Sequence, residues 1–214
     1  KTCKKNGCKS AKFIAFYVAK LYEVEQPREA RAELDSGLEL YPKDPQLLEL
    51  KAEKAYQAKN LLNAIQLYEK LKEFHPTYEP SYLKLANLLD EDGKSDQAVR
   101  VLEQGIERVH DKMSLMEKAA RFHAKKGNNQ KAKEYFEKIL KEDPGRADLK
   151  LRFAILLKEL GNEKDAYKYF KELDETNSLS PKQEITYAEV LHKLGKLKEA
   201  MEVAFWSGSL SVRS

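Results

Sequence analysis

Apolar residues recur along this chain in steps of three and four, and polar interruptions break the run at regular intervals. Numbered in blocks of 34 beginning at residues 11, 45, 79, 113, 147 and 181, the apolar positions fall mainly at 4, 7, 8 and 11 of the blocks and again at 20, 24 and 27. That spacing is one face of an α-helix, so each block predicts two helices. In the third block the first set is Tyr82, Leu85, Ala86 and Leu89, and in the fourth the second set is Ala132, Phe136 and Ile139. Lys150 breaks the first set of the fifth block, where Phe153, Ala154 and Leu157 keep it.

The breaks between helices carry their own signals. Gly93, Gly127, Gly161 and Gly195 are spaced by 34 and fall where each first helix should end. Glycine there closes a helix in the left-handed conformation at little cost. The second block has Lys59-Asn60 at this point, and Asn60 is the residue expected to take that conformation. Second helices are expected to stop near Pro42, Pro76 and Pro144, because proline cannot continue the ladder; His110 and Ser178 stand there in the third and fifth blocks.

Two alanine series set the packing. Ala30, Ala64, Ala98, Ala132, Ala166 and Ala200 occupy position 20, and Ala52, Ala86, Ala120, Ala154 and Ala188 occupy position 8. Small residues at both positions let the two axes of a block approach to the low end of the ~8 to 10 Å packing range. Larger side chains at position 24, namely Leu34, Tyr68, Leu102, Phe136 and Phe170, then fill the space toward the next block. A period of this size means that no block buries its apolar face alone, so neighbours must stack.

Two helices in 34 residues, with Ala at 8 and 20, Gly near 15, a large apolar residue at 24 and Pro at 32, resemble the tetratricopeptide repeat over residues 11 to 208. The first block departs from the pattern, with Ala19 one residue late and Pro27 at the turn, which reads as a one-residue deletion between its helices; the tryptophan frequent at position 4 is missing from all six blocks. The resemblance implies an all-α fold, a right-handed α-α superhelical solenoid of six tandem helix-turn-helix repeats. Its units are expected at 11–44, 45–78, 79–112, 113–146, 147–180 and 181–208, after a basic, poorly ordered lead at 1–10 and before a tail at 209–214. RNA-reading pentatricopeptide arrays resemble this architecture but keep a period one residue longer, which makes RNA the minor reading.

For function, the resemblance implies a protein–protein interaction scaffold whose first helices line a concave groove that binds an extended or helical segment of a partner. Residues at positions 2, 5, 9 and 12 lie away from the core face. The candidates are Gln46, Glu49, Glu53 and Tyr56, then Leu83, Asn87 and Asp90, then Glu117 and Arg121. Leu151, Ile155 and Lys158 follow in the fifth block, and Lys182, Ile185, Glu189 and His192 in the sixth. The early part of this face is acidic, and the later part is more basic and apolar. A partner is therefore expected to present basic residues to the second and third blocks, and an apolar or acidic anchor to the fifth and sixth. Arrays that grip a terminal carboxylate resemble one another in carrying Lys and Asn at positions 5 and 9. Here those positions read Glu49 and Glu53, Leu83 and Asn87, and Glu117 and Arg121, so acids would repel such a ligand.

Composition narrows the alternatives. The chain has 214 residues and a net charge of +4, of which Lys1, Lys4, Lys5, Lys9 and Lys12 supply +5, leaving −1 for the remainder. A near-neutral array makes a poor phosphate-binding surface. Cys3 and Cys8 have no second pair to complete a zinc site, and whether they pair with each other is open. No nucleophile elbow, phosphate loop or H-E-x-x-H is present, so neither a catalytic residue nor a cofactor is expected. His123, at position 11, is expected to pack as an aromatic would. No apolar stretch approaches the ~18 residues of a membrane span, and the start carries no basic-then-apolar leader, which leans expectation toward the cytoplasm. Lys1 in place of Met suggests a fragment or processed form, and an alternative reading is the recruiting array of a larger enzyme. At the far end, Phe205 and Trp206 predict a surface covered by more chain or by another copy, because a terminal repeat needs a polar outer face.

Overall fold

A computed structural model of the protein describes residues 10–210, with side chains to Phe205. Cys3, Cys8 and nearly all of the basic lead lie outside the described residues, as does the side chain of Trp206. Among the described residues there are twelve helices and no strand: α1 Ala11–Glu23, α2 Pro27–Leu40, α3 Pro45–Gln57, α4 Leu61–Phe74, α5 Glu79–Glu91, α6 Ser95–Arg108, α7 Met113–Lys125, α8 Asn129–Glu142, α9 Ala147–Glu159, α10 Glu163–Glu175, α11 Pro181–Lys193 and α12 Leu197–Leu210. First helices begin at 11, 45, 79, 113, 147 and 181, and second helices at 27, 61, 95, 129, 163 and 197, each 34 from the last. The fold is an all-α helical repeat solenoid.

The turn within each pair is the same device six times. The residue at position 15 has positive φ: Glu25 at 59°, Lys59 at 60°, and Gly93, Gly127, Gly161 and Gly195 at 71° to 76°. Each is followed by an N–H that reaches back to close the helix end, as in Asn60 N to Ala55 O (2.9 Å) and Lys94 N to Leu89 O (2.7 Å). In the second block, then, Lys59 turns the chain and not Asn60. The Asn60 side chain instead accepts from Asn63 N at 3.2 Å, capping α4. The first block carries no deletion: α1 has 13 residues like the other first helices, and fully buried Val18, not Ala19, fills position 8. At the other end, α12 continues to Leu210, beyond the expected tail boundary at 209, since Ser and Gly only weakly oppose a last helical turn.

Contacts divide the chain into two compact units, one ending at Lys118 and one beginning at Ala119 within α7. In the first, α1 packs on α2, α3 on α4 and α5 on α6, with α4 against α5. Asp44 starts α3 by accepting from Gln46 N (3.1 Å) and Leu47 N (3.0 Å), with Pro45 in the first helical position. Its core runs from Ile14, Val18 and Leu34 through Leu47, Tyr68 and Leu71 to Tyr82, Leu85 and Leu102. In the second unit, α9 packs on α10, α11 on α12, and α10 against α11. Aromatic rings build much of its core: Phe136 stacks on Phe153 at 5.3 Å and Phe170 on Tyr187 at 5.6 Å. His123 is buried and stacks on Tyr135 at 5.8 Å. No helix among the described residues is long and apolar enough to cross a membrane.

Candidate functional site

In the first compact unit the predicted face residues sit on α3, α5 and the start of α7, and several are held by side chains outside their own helix. Positions 5, 9 and 12 of α3 share one side because steps of four and three bring side chains back to the same face. Glu49 accepts from Tyr78 Oη at 2.6 Å, Glu53 from Lys84 Nζ at 3.1 Å, and Tyr56 Oη donates to Glu91 at 2.9 Å. On α5, Asp90 accepts from Ser95 Oγ at 2.6 Å, Asn87 is exposed and Leu83 is half-buried. Gln46 is exposed and Glu117, on α7, is half-buried.

These side chains frame a cleft of about 360 Å³ between α3 and α5, lined by Glu53, Tyr56, Gln57, Tyr68, Lys84, Asn87, Leu88 and Glu91. Its charge is one cation against two carboxylates, which suits it to a cationic visitor. The Tyr68 hydroxyl at its floor is buried without a hydrogen-bond partner, and burial, followed by the charges of Glu53 and Glu49, pushes its pKa well above the ordinary phenol value. Tyr56 is raised too, first by its hydrogen bond to Glu91. Both tyrosines therefore stay neutral at any physiological pH, Tyr68 as a wall and Tyr56 as a donor to Glu91, and neither serves as an acid.

In the second compact unit an equivalent cleft of about 230 Å³ opens between α7 and α9, lined by Arg121, Ala124, Phe136, Arg152, Ile155, Leu156 and Glu159. Here two guanidinium groups face one carboxylate, the reverse of the first cleft. Ile155 lines it, whereas half-buried Leu151 does not. Lys158 is ion-paired with Glu189. A third cleft, of about 610 Å³ and almost wholly apolar, lies along α11 and α12, where Ile185, Glu189 and His192 meet Leu197, Ala200 and Met201. Lys182 is exposed outside it, and Phe205 is exposed near the end of α12.

The sequence pattern therefore located Glu53, Tyr56, Asn87, Arg121, Ile155, Ile185, Glu189 and His192 in clefts and missed Lys84, Glu91, Arg152 and Glu159. Those four occupy positions 6 and 13, three before and four after position 9, and are legible once the face is taken as a stripe two residues wide. Among the described residues no group of three or more His, Cys, Asp or Glu could hold a metal ion.

Comparison with known proteins agrees with this architecture. The structure of PilF from Pseudomonas aeruginosa superposes with a TM-score of 0.70 at 16% identity, covering 95% of this chain and 90% of that one. PilW, a type IV pilus biogenesis factor, gives 0.66 at 15% identity over 92% and 91%. MamA gives 0.67 at 13% identity over 79% and 94%. At these identities the likeness is one of fold. No curated protein sequence matches the chain. Family profiles described as tetratricopeptide repeat match residues 20–79, 83–147 and 123–183, well over half of the chain, and the protein belongs to the tetratricopeptide repeat family.

Proposed function

We propose that this protein is a protein–protein interaction scaffold that takes up partner segments in the clefts along its first helices. The carrying observation is that the same register positions open a cleft in each compact unit with opposite charge balance, Glu53, Glu91 and Lys84 in one and Arg121, Arg152 and Glu159 in the other. A cationic side chain entering the α3–α5 cleft meets carboxylates already oriented by Tyr56 and Lys84, so little side-chain freedom is lost on binding. The α7–α9 cleft suits an acidic or apolar residue, with Ile155 as the apolar contact and Leu151 beside it on α9.

The test is a peptide-library selection on the intact protein, repeated with the Glu53→Gln/Glu91→Gln and Leu151→Ala/Ile155→Ala pairs. Peptides rich in Lys and Arg are expected to lose about tenfold in affinity on the first pair, the equivalent of ~1.4 kcal/mol. Apolar peptides should lose a similar factor on the second, which removes the Ile155 contact. Selected peptides that bind both pairs as well as the parent would remove the clefts from consideration.

A further inference from the structure

We infer that a basic cleft between α2 and α3 is an anion site, and that the group it takes is a phosphate monoester. Arg31 and Asp35 of α2, Lys51 and Lys54 of α3 and Asn63 of α4 line it. Positions 7, 10 and 11 of α3 point away from positions 5, 9 and 12, so this site lies on the other side of α3 from the acidic cleft and goes beyond the function proposed above.

In the later first helices, positions 7, 10 and 11 belong to the core. They are buried as Leu85, Leu88 and Leu89 in α5, as Phe153, Leu156 and Leu157 in α9, and as Tyr187, Val190 and Leu191 in α11. In α7 they are buried as Ala119, Phe122 and His123. In α3 the same three positions hold Lys51, Lys54 and Ala55, each only half-buried. An ammonium group set where other repeats place hydrocarbon costs stability, and the apolar volume given up leaves an opening where a core would be. That opening is a cleft of about 430 Å³, within the ~300 to 1,000 Å³ range of small-ligand sites.

Three cations, Arg31, Lys51 and Lys54, meet one carboxylate, Asp35, in this cleft, an excess of two positive charges. Lys51 Nζ is 2.8 Å from Asp35. Lys54 Nζ donates to Gln57 Oε1 at 3.0 Å and lies 4.1 Å from the centre of the Tyr22 ring. Arg31 is exposed and forms no ion pair among the described residues. Tyr22 also lines the cleft, and its hydroxyl is buried without a hydrogen-bond partner among the described residues. An unspent donor costs free energy that an acceptor recovers, so the hydroxyl and the cations call for the same visitor, a group rich in acceptor oxygens.

A phosphate monoester answers these features together. It carries about −1.5 to −2 charge at pH 7 and three acceptor oxygens, which matches the excess in the cleft. A carboxylate brings a single charge and leaves one cation uncompensated. The planar guanidinium of Arg31 suits two oxygens of a phosphate at once, while the two ammonium groups act as point charges beside it. The apolar wall at Leu34 and Ala58 leaves room for the carbon chain that bears the phosphate, whether a phosphorylated side chain of a partner segment or a small free phosphate.

Titration of the intact protein with a short phosphoserine peptide, its glutamate counterpart and inorganic phosphate, all at one ionic strength, tests this, with the amide shifts of α2 and α3 as the readout. The phosphoserine peptide should saturate those shifts, and the glutamate peptide should bind at least about tenfold more weakly. Inorganic phosphate that competes as well as the peptide assigns the source to a small free phosphate, and weaker competition assigns it to a partner chain; both support the site. Arg31→Gln, at an exposed residue, should cost about tenfold in phosphopeptide affinity. The Lys51→Leu/Lys54→Leu pair restores the apolar pattern of the later repeats and should abolish binding while raising the urea midpoint. No saturable shift, equal binding of the glutamate peptide, undiminished affinity in Arg31→Gln or a lowered midpoint in the leucine pair overturns the proposal. Capture of peptides rich in Lys and Arg by the α3–α5 cleft should survive Arg31→Gln, so either proposal can fail without the other.

Discussion

A methyl group added at Gly105 has no room. Its Cβ would lie 2.8 Å from Cγ of Tyr82 and 2.9 Å from Cδ1 of Leu115. Tyr82 cannot swing aside, since it is fully buried and its hydroxyl is anchored to the Pro76 carbonyl at 2.7 Å. Gly37 occupies the same register position, but there the close contact is a methyl of Ile14 at 2.8 Å, with Leu47 at 3.4 Å. Alanine improves helix propensity by ~1 kcal/mol at either site, while forced overpacking costs ~1 to 3 kcal/mol. Gly105→Ala should therefore lower the urea midpoint and Gly37→Ala should lower it less; a neutral or raised midpoint for Gly105→Ala would show that the ring gives way. The sequence pattern did not distinguish these two glycines, because position 27 elsewhere holds Leu71, Ile139 and Leu173 and a missing side chain looks like a gap in an apolar stripe. It did identify Gly93, Gly127, Gly161 and Gly195 as helix ends. Glu25 and Lys59 escaped because neither residue type signals a left-handed turn; the closing bonds from Gln26 N to Leu21 O and from Asn60 N to Ala55 O hold it against a cost of ~1 to 2 kcal/mol.

The starts of the first helices were legible, since they coincide with the block boundaries and the signals there are local: a period, a cap, a proline. Which faces those helices bury was less so. The apolar positions read as 4, 7, 8 and 11 widen to include 3 and 10, at Leu47, Leu88, Leu115, Phe122, Leu149 and Leu156, since position 3 meets position 27 of the preceding repeat, a contact no single-helix periodicity contains. Polar junctions between helices were likewise invisible, among them Glu163 of α10 with Lys193 of α11. That hydrogen bond, helped by the backbone N–H of Glu163, holds the carboxyl below the usual carboxylate range. A depressed folded-state pKa means that the contribution is present above the unfolded value and lost as pH falls through the lowered one. Thermal unfolding of the parent and of Glu163→Gln should thus differ at neutral pH and converge on acidification, by a small amount because the pair is exposed. Parallel pH curves would show that the ion pair contributes nothing.

At the scale of the molecule, the interactions described are local in sequence: the side-chain hydrogen bond from Tyr56 to Glu91 spans 35 residues, one repeat. Stability is then a sum of repeat and nearest-neighbour terms, and damage in one repeat should stay near it. The function was legible at this level too, as a repeat scaffold, whereas the clefts were legible only in part, because each is made by two repeats and a floor residue such as Tyr68 reads from sequence as core filling. Hydrogen exchange provides the test of locality. Phe170→Ala removes a fully buried ring between α10 and α11, a loss of ~3 to 5 kcal/mol, which should accelerate exchange of amides in α9–α12 by orders of magnitude. Amides of α3 and α4, several junctions away, should keep their parent protection, because no interaction described here carries the loss to them. Equal acceleration throughout would mean that the array opens as one cooperative unit, and the nearest-neighbour account would then fail for this protein.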